Sequence, residues 1–309
     1  MPRRAHLWAE KFDGATSDIF DFQDRITEHV VGLLEPQIRR AEIERVQRKR
    51  PESLDAYELY LRAIPARYGL RQKDYSSAIT LLERAIEIEP NFALALAFTA
   101  WANEKRLSLA THPDLQTADI ARCLDLAERA LTAGGDDPMV LGICGWLVFQ
   151  VGHEDAKGLS ALRRSVAANP NSVVVLNLAA TANAQGGDLD EGRGCFARVL
   201  KISPGAPDTF QCLTTLAMIE IVDDNPERAV ALSQQALATF NEWPFTYMAL
   251  AAAHAYLGEA EKARSAIDRV LMLMPGLTVP ALLDGPTNRA TGRWPKVVEG
   301  LRRAGLPSA

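Results

Sequence analysis

The sequence predicts an all-α fold, a right-handed superhelical solenoid of about six helix pairs, and three observations carry the prediction. The first is self-similarity. MVLGICGWLVFQVGHEDAKGLSALRRSVAANP ends at Pro170, SVVVLNLAATANAQGGDLDEGRGCFARVLKISP at Pro204 and FTYMALAAAHAYLGEAEKARSAIDRVLMLMP at Pro275. Each reads as an apolar-periodic helix, a glycine or polar turn, a second amphipathic helix and a proline that stops it. The second is period: Pro170 and Pro204 stand 34 residues apart, a length typical of stacked helical repeats. The third is composition, 48% apolar and 24% charged, which suits a folded chain with a large buried core. No strand-rich stretch competes with the helical pattern.

Six pairs follow one another across residues 53–275, the predicted solenoid. The first has a good second helix in DYSSAITLLERAIEIEPNF, but Pro65 interrupts its first helix, because proline lacks the N–H an α-helix needs. The second pairs NFALALAFTAWANEKRL with ADIARCLDLAERAL. SLATHPDLQ between them is longer than a repeat turn and marks an insertion near 108–117. The third and fourth end at Pro170 and Pro204. In the fourth, Gly186-Gly187-Asp188 supplies the turn. The fifth is TFQCLTTLAMIEIVDDNPERAVALSQQALATF, where Asn225-Pro226 reads as an N-cap followed by proline at the first helical position. The sixth ends at Pro275. Its Tyr247, Leu250, Ala251, His254, Ala263 and Ile267 fill the small and large packing places of the tetratricopeptide pattern. Leu176, Ala179, Ala180, Gly192 and Phe196 fill them in the fourth. The repeats thus resemble tetratricopeptide repeats, whose stability comes from each pair burying its faces on its neighbours.

The ends resemble a larger architecture. HLWAEKFDGATSDIFDFQDRITEHVVGLLEP carries Trp8, Ala9, Phe12, Asp13, Asp18, Ile19, Phe20, Gln23, Asp24 and Ile26 in the order of the closing segment of TolB-like domains. Residues 1–35 are therefore expected to be a truncated remnant of such a domain. Residues 36–52, with the basic run Arg39–Arg50, are expected to form a linker helix. Residues 276–309 form a tail, and WPKVVEGLRRAGLP looks like the closing helix of the same proteins. The resemblance implies the C-terminal region of a bacterial signalling protein whose effector domain is a class III adenylate or guanylate cyclase, or else a winged-helix DNA-binding domain.

Chemistry is sought and not found. The five histidines are dispersed without HExxH spacing, and Cys123, Cys144, Cys195 and Cys212 stand singly among apolar neighbours. They read as core residues rather than ligands. GGDLDEGRG lacks the GK[ST] end of a phosphate loop, and no nucleophile elbow is present. Asp13–Asp24 lacks the glycine and closing glutamate of a calcium loop. Net charge is −5, and glutamates interrupt the basic run, so no nucleic-acid contact is expected. No apolar run is long enough to cross a membrane. The expectation is a cytoplasmic, non-enzymatic scaffold with no cofactor and no metal.

The surface expected to work is the concave face formed by the first helix of each pair. The candidate groove residues are Trp101, Val140, Ile143, Leu147 and Val174, continuing through Asn177, Thr181, Thr214, Met218 and Met248. Only Glu104 and Lys105 add charge, so the basic clamp for a terminal carboxylate is missing. The expected occupant is a protein or peptide partner: an apolar helix laid in the groove, or the chain's own C-terminal tail.

Overall fold

The structure is a computed structural model that describes residues 55–68, 72–108, 116–203, 209–284 and 293–308. The expectations for residues 1–35 and 36–52, and nearly all of the insertion near 108–117, lie outside these residues. The described residues form helices without strands.

The six pairs are α1 (Ala56–Ala63) with α2 (Gln72–Ile88), α3 (Ala93–Ser108) with α4 (Gln116–Gly134), and α5 (Pro138–Gln150) with α6 (Asp155–Ala168). They continue as α7 (Val173–Gln185) with α8 (Leu189–Ile202), α9 (Thr209–Val222) with α10 (Pro226–Thr239), and α11 (Pro244–Tyr256) with α12 (Ala260–Leu273). Within each pair the two helices pack against each other. From α3 onward each first helix also lies on the first helix of the next pair. The fold is therefore an all-α tetratricopeptide solenoid, and the stacked first helices make its inner face.

This division of labour is written in the residues. A first helix touches its partner and both neighbouring pairs, so it must be apolar around nearly its whole circumference. Helices α5 and α7 carry no charged residue over 13 residues each. A second helix buries one stripe. In α8 that stripe is Gly192, Cys195, Phe196 and Val199, and in α12 it is Ala263, Ala266, Ile267 and Val270. Both repeat the i, i+3, i+4, i+7 spacing of one helical face.

The turns follow local chemistry. Asp137 Oδ1 accepts from the backbone N–H groups of Met139 (2.7 Å) and Val140 (3.1 Å), with Pro138 opening α5. Pro65 acts as the sequence predicts: α1 stops at Ala63 and tightens into a 3₁₀ turn over Ile64–Tyr68. Asn225 departs from expectation. It occupies the N-cap place, but its side chain makes no cap; Nδ2 donates instead to Glu220 Oε2 at 3.3 Å. The ionised carboxylate is a strong acceptor for that amide N–H. It also gathers Arg193, whose guanidinium donates to Glu220 at 2.6 Å.

The tail folds back onto the stack. After α13 (Val279–Asp284), helix α14 (Pro295–Ala304) packs on α11 and reaches α9 and α12. It buries Val297, Val298, Leu301 and Ala304. Gly300 permits the approach, because a Cβ there would stand 2.7 Å from Ala252 Cβ and 2.9 Å from its Cα. Gly305, at φ +96°, closes the helix in the left-handed conformation that favours glycine. Val279 N–H then donates to the Pro307 carbonyl at 2.8 Å, tying the chain's last residues to α13.

None of the four cysteines is in a disulfide, and all are buried. Burial pushes the thiols of Cys123 and Cys144 up to about 12 and that of Cys195 up to about 11. Only the thiolate reacts, so at pH 8 the reactive fraction at Cys123 is on the order of one in ten thousand. Native protein is expected to resist iodoacetamide at these positions at pH 8 and to label fully in denaturant, as mass spectrometry of both samples would read.

Candidate functional pocket

The inner face contains a pocket of about 870 Å³, counted to its open mouth. Five helices and the tail build it from short stripes. Helix α3 contributes Trp101, Glu104, Lys105 and Ser108; α5 contributes Trp146 and Gln150. Helix α7 adds Asn177, Leu178, Thr181 and Gln185, and α9 adds Gln211, Thr214, Thr215 and Met218. The start of α11 supplies Trp243 and Phe245, and the tail supplies Trp294. On α3 and α9 the stripe is i, i+3, i+4, i+7, so one helical face turns toward the same space. Four of the chain's five tryptophans meet there.

Its charges answer one another. Glu104 is almost wholly buried; Lys105 Nζ lies 2.9 Å from its Oε2, and Ser108 donates to its Oε1 at 2.7 Å. The same ammonium sits 5.0 Å from the ring centre of Trp146 and 5.7 Å from that of Trp101, contacts worth about 0.5–2 kcal/mol each. A buried pair of this kind contributes little net stability, but it leaves the pocket without net charge.

The hydroxyls are already engaged. Thr181 donates to the Asn177 carbonyl at 2.9 Å, and Thr215 to that of Gln211 at 3.2 Å. Thr214 Oγ1 meets the Phe210 carbonyl at 2.8 Å and Thr246 Oγ1 at 2.6 Å. The amides are different. Asn177 is 8% exposed, and neither its Nδ2 nor its Oδ1 has a hydrogen-bond partner. Trp146 Nε1 and Gln185 Oε1 are likewise buried and unpaired. Each such group costs about 1–3 kcal/mol, and all line the one pocket.

The structure brings five of the ten predicted groove residues to this pocket: Trp101, Asn177, Thr181, Thr214 and Met218. Val174 is half-buried and not among the lining residues. Val140, Ile143, Leu147 and Met248 require correction. They are at most 1% exposed and lie inside the stack; on the third pair the pocket is lined one helical position away, by Trp146 and Gln150. Trp146, Gln185, Trp243 and Trp294 are the residues that sequence reasoning passed over. A signal existed for the first two: a tryptophan or amide inside an otherwise apolar helix.

The tail takes a wall rather than the whole space. Trp294, 2% exposed, closes one side. Beside it Arg293 donates to Asp155 Oδ1 at 2.6 Å and lies 4.3 Å over the Phe149 ring, on the third pair. Tyr256 OH donates to the Lys296 carbonyl at 2.7 Å. Among the described residues no cluster of three His, Cys, Asp or Glu side chains could hold a metal ion. No described helix is long and apolar enough to cross a membrane.

No protein-family model matches the chain. Part of it, 139 residues or 43%, is 30% identical to a Rhizobium meliloti (strain 1021) protein named "Putative adenylate cyclase 3". The chain spans 22% of that relative's length. Solved helical-repeat structures are similar at the level of fold. The Cut9–Hcn1 hetero-tetramer of the APC/C superposes with a TM-score of 0.59 at 13% identity, covering 93% of this chain and 49% of that one. A monomeric IFIT1 mutant with Gppp-AAAA gives 0.59 at 14% identity, covering 96% and 70%. The type IV pilus biogenesis factor PilW gives 0.51 at 15%, covering 72% and 94%.

Proposed function

We propose that this chain is a non-enzymatic tetratricopeptide scaffold whose inner face holds a segment of a partner protein. The observation that carries the reading is the convergence of four tryptophans and unpaired amides on one solvent-open pocket of the stack. Buried aromatic anchors surrounded by a few polar groups are what binding surfaces concentrate. Such a surface orders and positions a partner, and among the described residues no cluster of three His, Cys, Asp or Glu side chains could hold a metal ion. The partial likeness to the Rhizobium protein supports a finer version, in which the repeats are the cytoplasmic regulatory part of a cyclase-type signalling protein. In that version cyclisation belongs to a domain other than the described helices. A winged-helix effector is the alternative that the resemblance of the ends leaves.

Two measurements test the reading. A photo-crosslinking residue at Gln211, in the pocket, is expected to capture one discrete partner in cells. The same residue at exposed Ile88, on α2, is expected not to. Equal capture at both positions would refute the inner-face assignment. Purified protein with ATP or GTP and Mg²⁺ or Mn²⁺ is expected to form no cyclic nucleotide, and robust turnover would overturn the non-enzymatic reading.

A further inference from the structure

Resting on the reading that the inner face holds a partner segment, we infer that the pocket recognises one uncharged anchor: a bulky apolar side chain together with its own backbone amides, not an amphipathic helix. Three observations lead there.

The first is size. A helix is 10–12 Å across, and even the full 870 Å³, which includes space open to solvent, would hold fewer than two turns of it. Trp294, just before α14, walls one side of the pocket. The pocket is bounded, and a bounded pocket takes an anchor.

The second is charge. The two ionised groups at the pocket, Glu104 and Lys105, stand 2.9 Å apart and cancel each other's charge. A ligand carboxylate or ammonium would enter with no counter-charge left for it, and would lose its hydration. A neutral ligand meets no such penalty.

The third is hydrogen bonding. The threonine hydroxyls are spent on backbone carbonyls, whereas Asn177 keeps a donor and an acceptor side by side, both unpaired. A peptide amide group presents the complementary donor and acceptor, so one carboxamide can hold a backbone at two points. Trp146 Nε1 adds a donor and Gln185 Oε1 an acceptor. The indole walls suit an aromatic or branched side chain attached to those amides.

The four pocket tryptophans make their own emission the readout. The probes are N-acetyl-phenylalaninamide, the same molecule ending in a free carboxylate, phenethylamine, and a capped pentapeptide with one central phenylalanine among alanines. The neutral amide and the pentapeptide are expected to shift the emission saturably, the pentapeptide more tightly, and the two charged analogues at least tenfold more weakly. Asn177→Leu is expected to weaken both neutral probes at least tenfold while leaving the thermal midpoint of the free protein unchanged or raised, since it removes two unpaired polar atoms. A residue with a purely structural role would not show that split.

Neutral and charged probes binding alike, or Asn177→Leu binding as tightly as the parent, would overturn this inference and leave the scaffold reading standing. Saturable neutral-probe binding without capture at Gln211 would uphold the pocket chemistry and sink the scaffold reading instead. No saturable shift with any probe at millimolar concentration would overturn the inference. If Asn177→Leu unfolds, Gln185→Leu with the same probes decides the matter by the same outcomes.

Discussion

Gly158→Ala is expected to destabilise the protein by about 3 kcal/mol, the upper part of the usual range for overpacking. The added Cβ would lie 2.6 Å from Phe149 Cβ, 2.7 Å from Phe149 N and 2.8 Å from the Gly145 carbonyl oxygen. Two of those atoms are backbone of α5, which is pinned between α3 and α7 and cannot step aside. Helix α6 must instead lift away, taking Asp155, the partner of Arg293, with it. The denaturant midpoint is the measure. Gly194→Ala is the matched control: it sits on exposed α8 with nothing within 4 Å of the added atom. There alanine's better helix propensity should raise stability by about 0.5–1 kcal/mol. If both variants behave alike, the close approach of α5 and α6 is not what holds the third pair.

Leu301→Asp is expected to release α14 from α11. Leu301 is 0% exposed, and a carboxylate placed there without a partner costs several kcal/mol unless the helix detaches. Detachment is the cheaper response, because α14 is held by one apolar face and a few polar contacts at its ends, such as Tyr256 OH to the Lys296 carbonyl and Val279 N–H to the Pro307 carbonyl. The expected observations are removal of the C-terminal segment by trypsin while the remainder resists, and a red shift of tryptophan emission as Trp294 leaves the pocket wall. An unchanged digestion pattern together with unchanged emission would show that α14 is not held by its apolar stripe. The pocket opens on that side when the helix leaves, so this variant also tells whether the tail shapes the site.

The helical pairs were legible because their code is local and repeated. The stripe Gly192, Cys195, Phe196, Val199 and its counterpart in α12 state which face is buried without reference to anything else. Pro65 announced the end of α1, and Asp137-Pro138 the start of α5. The pocket was half legible. In α9, where Thr214 and Thr215 break an apolar run, polarity gave the phase. In α5 every position is apolar but the last, so periodicity could not choose between Leu147 and Trp146, and the pocket takes Trp146. One helical position is 100° of rotation, enough to move a side chain from the inner face into the core.

By itself, the sequence determined that paired helices would stack in series, since period, proline stops and one-faced second helices are properties of the chain taken a few residues at a time. Tertiary structure alone decided that Trp101, Trp146, Trp243 and Trp294 share a space and that the tail supplies a wall of it. It also decided that Asn177 keeps both amide atoms unpaired. Those facts depend on the rotation of each helix against its neighbours and on a contact between Arg293 and Asp155 across most of the solenoid. Such relations are set by the whole stack finding its closest packing, and no local pattern encodes them.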